Sequence, residues 1–205
     1  VEPWSGKMLY NNHFNRGQLD FLRDLFVRHD VWPLVYSFRG TQERVSWVED
    51  RATAGVRRYL ARRAGDPRFR PVASRDELVG DDIFYFNCIS AKENLNGLYE
   101  EVLRHSDLKC IFERETYHTD YWCEIMPAGT SKGEGALRVK ELLGADRLVA
   151  FGDALNDREL FLAADESYAV KNADEALKAV ATGVIGYSEE DAVVKFLMQN
   201  LGRYK

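Results

Sequence analysis

The alternation of apolar and polar positions changes character near Pro127-Ala128-Gly129. Upstream, Leu19, Leu22 and Phe26 recur at helical spacing and predict a helix from about Arg16 to Arg28, with Asn15 as its cap. Aromatic and β-branched residues from Val31 to Phe38 predict a strand, and a weaker period predicts a second helix between Val45 and Arg63. A strand at Asp82 to Ser90 follows, then a helix at Ala91 to His105 carried by Leu95, Leu98 and Val102. Two further strands fall around Lys109 to Glu113 and Tyr121 to Ile125. These strands are separated partly by helices and partly by a short turn. That pattern predicts an α+β module, an antiparallel sheet with helices on one side.

Downstream, Thr130-Ser131-Lys132-Gly133-Glu134 opens a helix whose apolar stripe is Ala136, Val139, Leu142 and Leu143 and whose end is Gly144. Ser131 and Glu134 form a capping box. Leu148 to Phe151 are four apolar residues without alternation, the signature of a strand covered on both faces, and Gly152 ends the run. Leu160, Phe161 and Ala164 then predict a helix from Arg158 to Ala164 with Asn156 in the N-cap position.

Chemistry gathers at two of these boundaries. Asp153, Asn156 and Asp157 follow the carboxyl end of a strand, where ligands bind in open α/β sheets, and two carboxylates with an amide suit a metal ion and a phosphate. The same residues also read as a plain helix start, Asn156 capping and Asp157 complementing the helix dipole. Lys132 occupies the first helical position, where the positive end of the dipole opposes a cation. An anion there would relieve the conflict, since free backbone N–H groups and an ammonium converge on one point. Standing alone, Lys132 reads as a solvated surface lysine.

Together the two clusters resemble the Cof-like branch, subfamily IIB, of the haloacid dehalogenase superfamily of phosphatases. Ser131-Lys132-Gly133 is similar to the family's phosphate-binding helix start, and Gly152-Asp153-Ala154-Leu155-Asn156-Asp157 to its Gly-Asp-x-x-Asn-Asp metal loop. The likeness continues through Tyr168-Ala169-Val170-Lys171-Asn172-Ala173 and Ser188-Glu189-Glu190-Asp191-Ala192-Val193, although a glycine usually stands where this chain has Ala192. The resemblance implies an α/β fold in which residues 127–205 form the C-terminal half of a Rossmann-like core with a parallel sheet. Residues 11–126 would be an α+β cap domain that sets substrate specificity, and residues 1–10 a core or linker remnant. It further implies Asp153 as a Mg2+ ligand, Lys132 as a phosphate contact, Asn156 as a phosphate or substrate contact, and Asp157 as a support behind them. The implied activity is Mg2+-dependent hydrolysis of a small phosphorylated metabolite, such as a sugar phosphate or nucleotide. The alternative is a catalytically silent protein of the same fold that binds such metabolites.

The family's nucleophile and acid/base lie in an Asp-x-Asp-Gly-Thr segment, and no Asp-x-Asp pair exists in these 205 residues. Asp81 and Asp82 are adjacent, so in a strand they face opposite ways. The opening Trp4-Ser5-Gly6-Lys7-Met8-Leu9-Tyr10 looks like the hairpin that follows the family's first three core strands. On this reading the chain is the C-terminal part of a longer protein and is inactive alone. A missing N-terminal segment would pair beside Leu148 to Phe151 and cover an edge that otherwise invites aggregation.

Composition narrows the partners. A chain with 45% hydrophobic residues can bury a real core, and a formal net charge of -5 excludes a general nucleic-acid binder. No apolar run approaches the length of a membrane span. Cys88, Cys110 and Cys123 cannot all pair, which suits reduced thiols in a cytoplasmic protein. The run Arg57, Arg58, Arg62, Arg63, Arg68 and Arg70 reads as a solvated face before an anion-steering patch. Cys110, His118, Asp120 and Cys123 lack the paired spacing of a zinc site. Tyr117, Tyr121 and Trp122 read as core or cross-strand aromatics before a pocket lining.

Overall fold

The computed structural model describes residues 8–115 and 118–203, so residues 4–7 of the expected hairpin and Tyr117 lie outside the described residues. The chain divides into two compact units between Ala128 and Gly129.

The first unit opens with α1, Arg16–Arg28. Asn15 accepts from the Gln18 N–H at 3.0 Å while the Gln18 side chain accepts from the Asn15 N–H at 2.9 Å, so two orphan donors at the helix start are satisfied reciprocally. The strand expected at Val31 to Phe38 is β1, Leu34–Arg39. It turns directly into β2, Gln42–Val48, through Gly40, whose φ of +62° fits a tight hairpin. The segment Val45 to Arg63 is therefore not one helix. Its first four residues finish β2, and the helix α2 is only Ala54–Ala61. The error is one of period: Val45 and Trp47 alternate with Ser46 and Val48 between the two faces of a sheet buried on both.

β3, Phe69–Val72, pairs parallel to β2 and had no signal of its own, its Pro71 being tolerated because β3 is an edge. β4 spans Asp82–Ser90, α3 Lys92–Val102, β5 Leu108–Arg114 and β6 Tyr121–Pro127. The sheet order is β3-β2-β1-β4-β6-β5, with every pair but β2–β3 antiparallel.

Helices cover both faces of this sheet rather than one. Leu22, Leu25 and Phe26 of α1 and Leu95, Leu98 and Val102 of α3 pack with Val35, Phe86, Cys88, Cys123 and Ile125. On the opposite face Val56 and Tyr59 of α2 pack with Leu34, Tyr36, Val45, Trp47 and Ile89. The arginine run is largely consumed by neighbours: Arg58 pairs with Asp120, Arg62 with Glu115, and Arg68 with Asp66 and Glu43. Arg63 lies over the Tyr59 ring.

The second unit is a parallel sheet in the order β7-β8-β9. Its elements are α4 (Lys132–Leu143), β7 (Val149–Gly152), α5 (Arg158–Ala163), β8 (Glu166–Ala169), α6 (Glu175–Lys178), β9 (Gly183–Val184) and α7 (Ala192–Asn200). Ala150, Phe161, Ala169, Val170, Ala173 and Leu177 make its core. β8, not β7, is the strand buried along its whole length. It went unseen because Glu166 interrupts its apolar pattern, a carboxylate 5% exposed that is held by the Tyr168 hydroxyl and by Arg147 and Arg203.

Two expectations of burial fail here for one reason. β7 is an edge strand in which only Ala150 is fully buried, and the stripe of α4 stays open, with Val139 52% and Leu143 69% exposed. Both pattern signals are those of core-facing elements, but among the described residues β7 has no strand on its outer edge and the α4 stripe lies open.

Leu98 is fully buried beneath the first sheet. Leu98→Ala should cost about 2–5 kcal/mol in urea unfolding, and a loss below about 1 kcal/mol would show that α3 is not a core element.

Candidate active site

The site grows from the join between α4 and the loop after β7. Ser131 caps α4, its hydroxyl accepting from the Glu134 N–H at 3.1 Å. Gly133 is the only fully buried residue of α4, and a Cβ there would lie 2.6 Å from the Glu159 carbonyl oxygen. That close approach seats the start of α4 against α5, and Lys132 reaches the loop after β7.

The loop is organised by Asp157. Its Oδ2 accepts from the Asp153 N–H at 3.1 Å and from the Ala154 N–H at 3.4 Å, and its Oδ1 accepts from the Lys132 ammonium. Gly152 allows this fold-back, because a Cβ at that position would lie 2.7 Å from Asp157 Oδ2. Burial pushes the Asp157 carboxyl up, but the Lys132 ammonium and the two backbone N–H groups outweigh it and hold the group below the usual carboxylate range.

Asn156 does not occupy the N-cap position expected of it. A 3-10 turn, Leu155–Asp157, precedes α5, and Asp157 is the residue before the helix. The capping explanation for Asn156 thus falls away, leaving an exposed amide beside an exposed Asp153. The Asp153 carboxylate has no hydrogen bond or ion pair among the described residues. The anion that relieves the helix-dipole conflict at Lys132 is a protein carboxylate, Asp157, although the Lys132 side chain remains 51% exposed and open to a ligand.

Among the described residues no three His, Cys, Asp or Glu side chains converge as a metal cluster. Asp153 fits Mg2+ as one oxygen ligand, since that ion is commonly held by one or two carboxylates with waters and substrate phosphate. Asp157 is engaged by Lys132 and two backbone N–H groups. The zinc reading finds no support: His118 contacts Arg62, Asp120 pairs with Arg58, and Cys110 and Cys123 lie sulfur to sulfur at 3.5 Å as free thiols.

The family model described as haloacid dehalogenase-like hydrolase matches residues 3–197. The chain belongs to that family. Over 85 residues the chain is 41% identical to a phosphoglycolate phosphatase of Halorubrum lacusprofundi, covering 40% of the chain and 37% of that protein. It is 32% identical over 122 residues to the pyridoxal phosphate phosphatase YbhA of Escherichia coli, covering 53% and 45%. The chain therefore spans less than half the length of either curated relative it matches. In fold it matches TM0651 of Thermotoga maritima with a TM-score of 0.73 at 20% identity, covering 93% of the chain and 68% of that structure. No helix among the described residues is long and apolar enough to cross a membrane.

A carboxyl whose folded pKa is depressed contributes stability that is complete above its unfolded value and lost as pH falls through the folded one. Thermal unfolding of the wild type should weaken below about pH 4 partly through Asp157, and Asp157→Asn should show a shallower acid loss. Equal acid slopes would remove Asp157 from its bracing role.

Proposed function

We propose that this chain is the larger part of a Mg2+-dependent phosphohydrolase acting on a small phosphorylated metabolite. The observation that carries the reading is the Lys132–Asp157–Asp153 junction, which brings to one loop a half-exposed ammonium and a carboxylate without a partner among the described residues. Two relatives that match part of the chain are named as phosphatases, which supports it.

In this proposal Lys132 offsets charge on the transferring phosphoryl group, because phosphoryl transfer is driven chiefly by positioning and electrostatic stabilisation. Asp157 fixes the ammonium and the loop together, so neither must reorganise when substrate binds. Asn156 contributes amide hydrogen bonds to phosphate or substrate. Asp153 would hold Mg2+, which when bound polarises phosphoryl oxygens and neutralises their charge.

The nucleophile is not among these 205 residues, which contain no Asp-x-Asp pair. We assign it to a strand that pairs with the open edge of β7 and to an element that covers Val139, Leu142 and Leu143 of α4, both supplied from outside this chain. Apolar surface and an unpaired edge on one unit favour such a complement over solvent exposure. Cytoplasmic residence belongs to the same proposal and rests on three free thiols.

The test is p-nitrophenyl phosphate hydrolysis by the full-length protein with Mg2+ and with EDTA. Lys132→Ala should lower kcat/KM by at least about 100-fold, a loss in the range expected for removing one electrostatic stabiliser. Asp153→Ala should abolish the Mg2+-dependent rate. The 205-residue chain alone should be silent. Unchanged rates in both variants, or EDTA-insensitive turnover, would refute the assignment. Phosphate binding without any hydrolysis would favour the silent binding protein instead.

A further inference from the structure

No step of the phosphohydrolase reading uses Asn172 or Ser188, yet these two exposed side chains close a ring of hydrogen bonds. Asn172 Nδ2 donates to Ser188 Oγ at 2.9 Å, and the Ser188 N–H donates to Asn172 Oδ1 at 3.0 Å. The Ser188 hydroxyl gives its own proton to Glu189 at 3.1 Å, which leaves its lone pairs for Asn172. One residue earlier, the Lys171 N–H donates to the Gly186 carbonyl at 3.0 Å, and the Lys171 ammonium lies over the Tyr187 ring. The loop after β8 is thereby fastened to the loop after β9 through backbone and side chain alike.

The same β8 loop holds Asp153. The Val170 N–H donates to the Gly152 carbonyl at 3.2 Å, and the Asp174 N–H donates to the Asp153 carbonyl at 2.9 Å. Because the Asp153 N–H is taken by Asp157 Oδ2, the Asp153 backbone is gripped at both its N–H and its C=O, by two different segments. Asp174 is itself fixed, since its side chain accepts from the Ala176 N–H at 2.8 Å at the start of α6. The Ala173 N–H donates to the Val170 carbonyl at 2.9 Å, so residues 170–173 form a turn, and Asn172 stands within it between the two residues that hold the metal loop. Where the Asp153 carboxylate can reach depends on where its backbone is held. Mg2+ is exacting in this respect, taking ligands at about 2.0–2.1 Å in near-ideal octahedral geometry.

We propose that Asn172 is a positioning residue for metal capture by Asp153, its bonds to Ser188 fixing the turn whose Asp174 N–H holds the Asp153 carbonyl. This role rests on Asp153 as the Mg2+ ligand, and Asn172 acts through the backbone rather than by touching the ion. Groups that support a ligand from behind govern metal affinity as well as the ligand itself does. A pair that only stitched two loops together would change thermal stability and leave metal affinity alone.

Mn2+ binding to the full-length protein, read from the free-ion electron paramagnetic resonance signal with Mg2+ as competitor, measures metal affinity without turnover. Asn172→Ala should weaken binding about 10-fold, the lower end of the range for loss of a supporting partner. Ser188→Ala, which leaves the Ser188 N–H bond in place, should weaken it severalfold, and Ser188→Thr, which keeps the hydroxyl, should recover most of that loss. In p-nitrophenyl phosphate hydrolysis by Asn172→Ala the Mg2+ half-saturation should rise, with KM for the ester unchanged at saturating Mg2+. Wild-type Mn2+ affinity in Asn172→Ala, or a lower Tm with no shift in metal half-saturation, would overturn the proposal. Should Asn172→Ala fail to fold, wild-type affinity in Ser188→Ala overturns it instead. Unchanged Mn2+ binding in Asp153→Ala would overturn the metal assignment as well, which keeps the two failures distinguishable.

Discussion

One carboxylate ties the second unit's chemistry together. Asp157 takes an ammonium from the start of α4 on one oxygen and two backbone N–H groups from the loop after β7 on the other. A buried acid with that many donors stays ionised, and an ionised acid holds its donors in register. The glycines on either side are steric conditions for this arrangement. Gly133 admits α4 to the backbone of α5, and Gly152 leaves room for the Asp157 side chain. The motif letters around Lys132 and Asp153 are thus the sequence trace of one compact knot.

The first unit obeys a different logic. Its sheet is buried on both faces over β1 and β2, with the Tyr36–Tyr85 pair joining β1 to β4 and the Tyr59–Trp122 pair joining α2 to β6. Toward β5 and β6 the α2 side of the sheet turns polar, and Glu113 and Glu124 stand where the other side has Phe112 and Cys123. Burial raises the Cys88 thiol out of the thiolate range, and Cys123 is raised chiefly through its contact with Cys110. Cys88 and Cys123 are packing groups rather than reactive ones.

Much of this was legible in the chain. α1, α3, α4 and β4 follow from strong periods and caps, and the residues of the Lys132 and Asp153 clusters follow from strand and helix boundaries. The misreadings have physical causes. A strand buried on both faces loses its alternation, so β2 merged with α2, while β3 is too short and proline-broken to register. Glu166 concealed β8 because its compensating arginines are remote in sequence. Asn156 reads as a cap because sequence alone does not distinguish a 3-10 turn from the first turn of a helix. The Lys132–Asp157 pair is invisible without coordinates, since spacing indicates which groups gather but not which of them bond.

The Glu166 carboxylate draws Arg147 from just ahead of β7 and Arg203 from just past α7. Two charged clasps thus fasten the approach to β7 and the segment after α7 to the middle strand of the second unit. Peeling away the carboxyl-terminal segment would take Arg203 from a buried carboxylate and leave only Arg147 and Tyr168 to hold it, so local opening there is resisted by electrostatics as well as by packing.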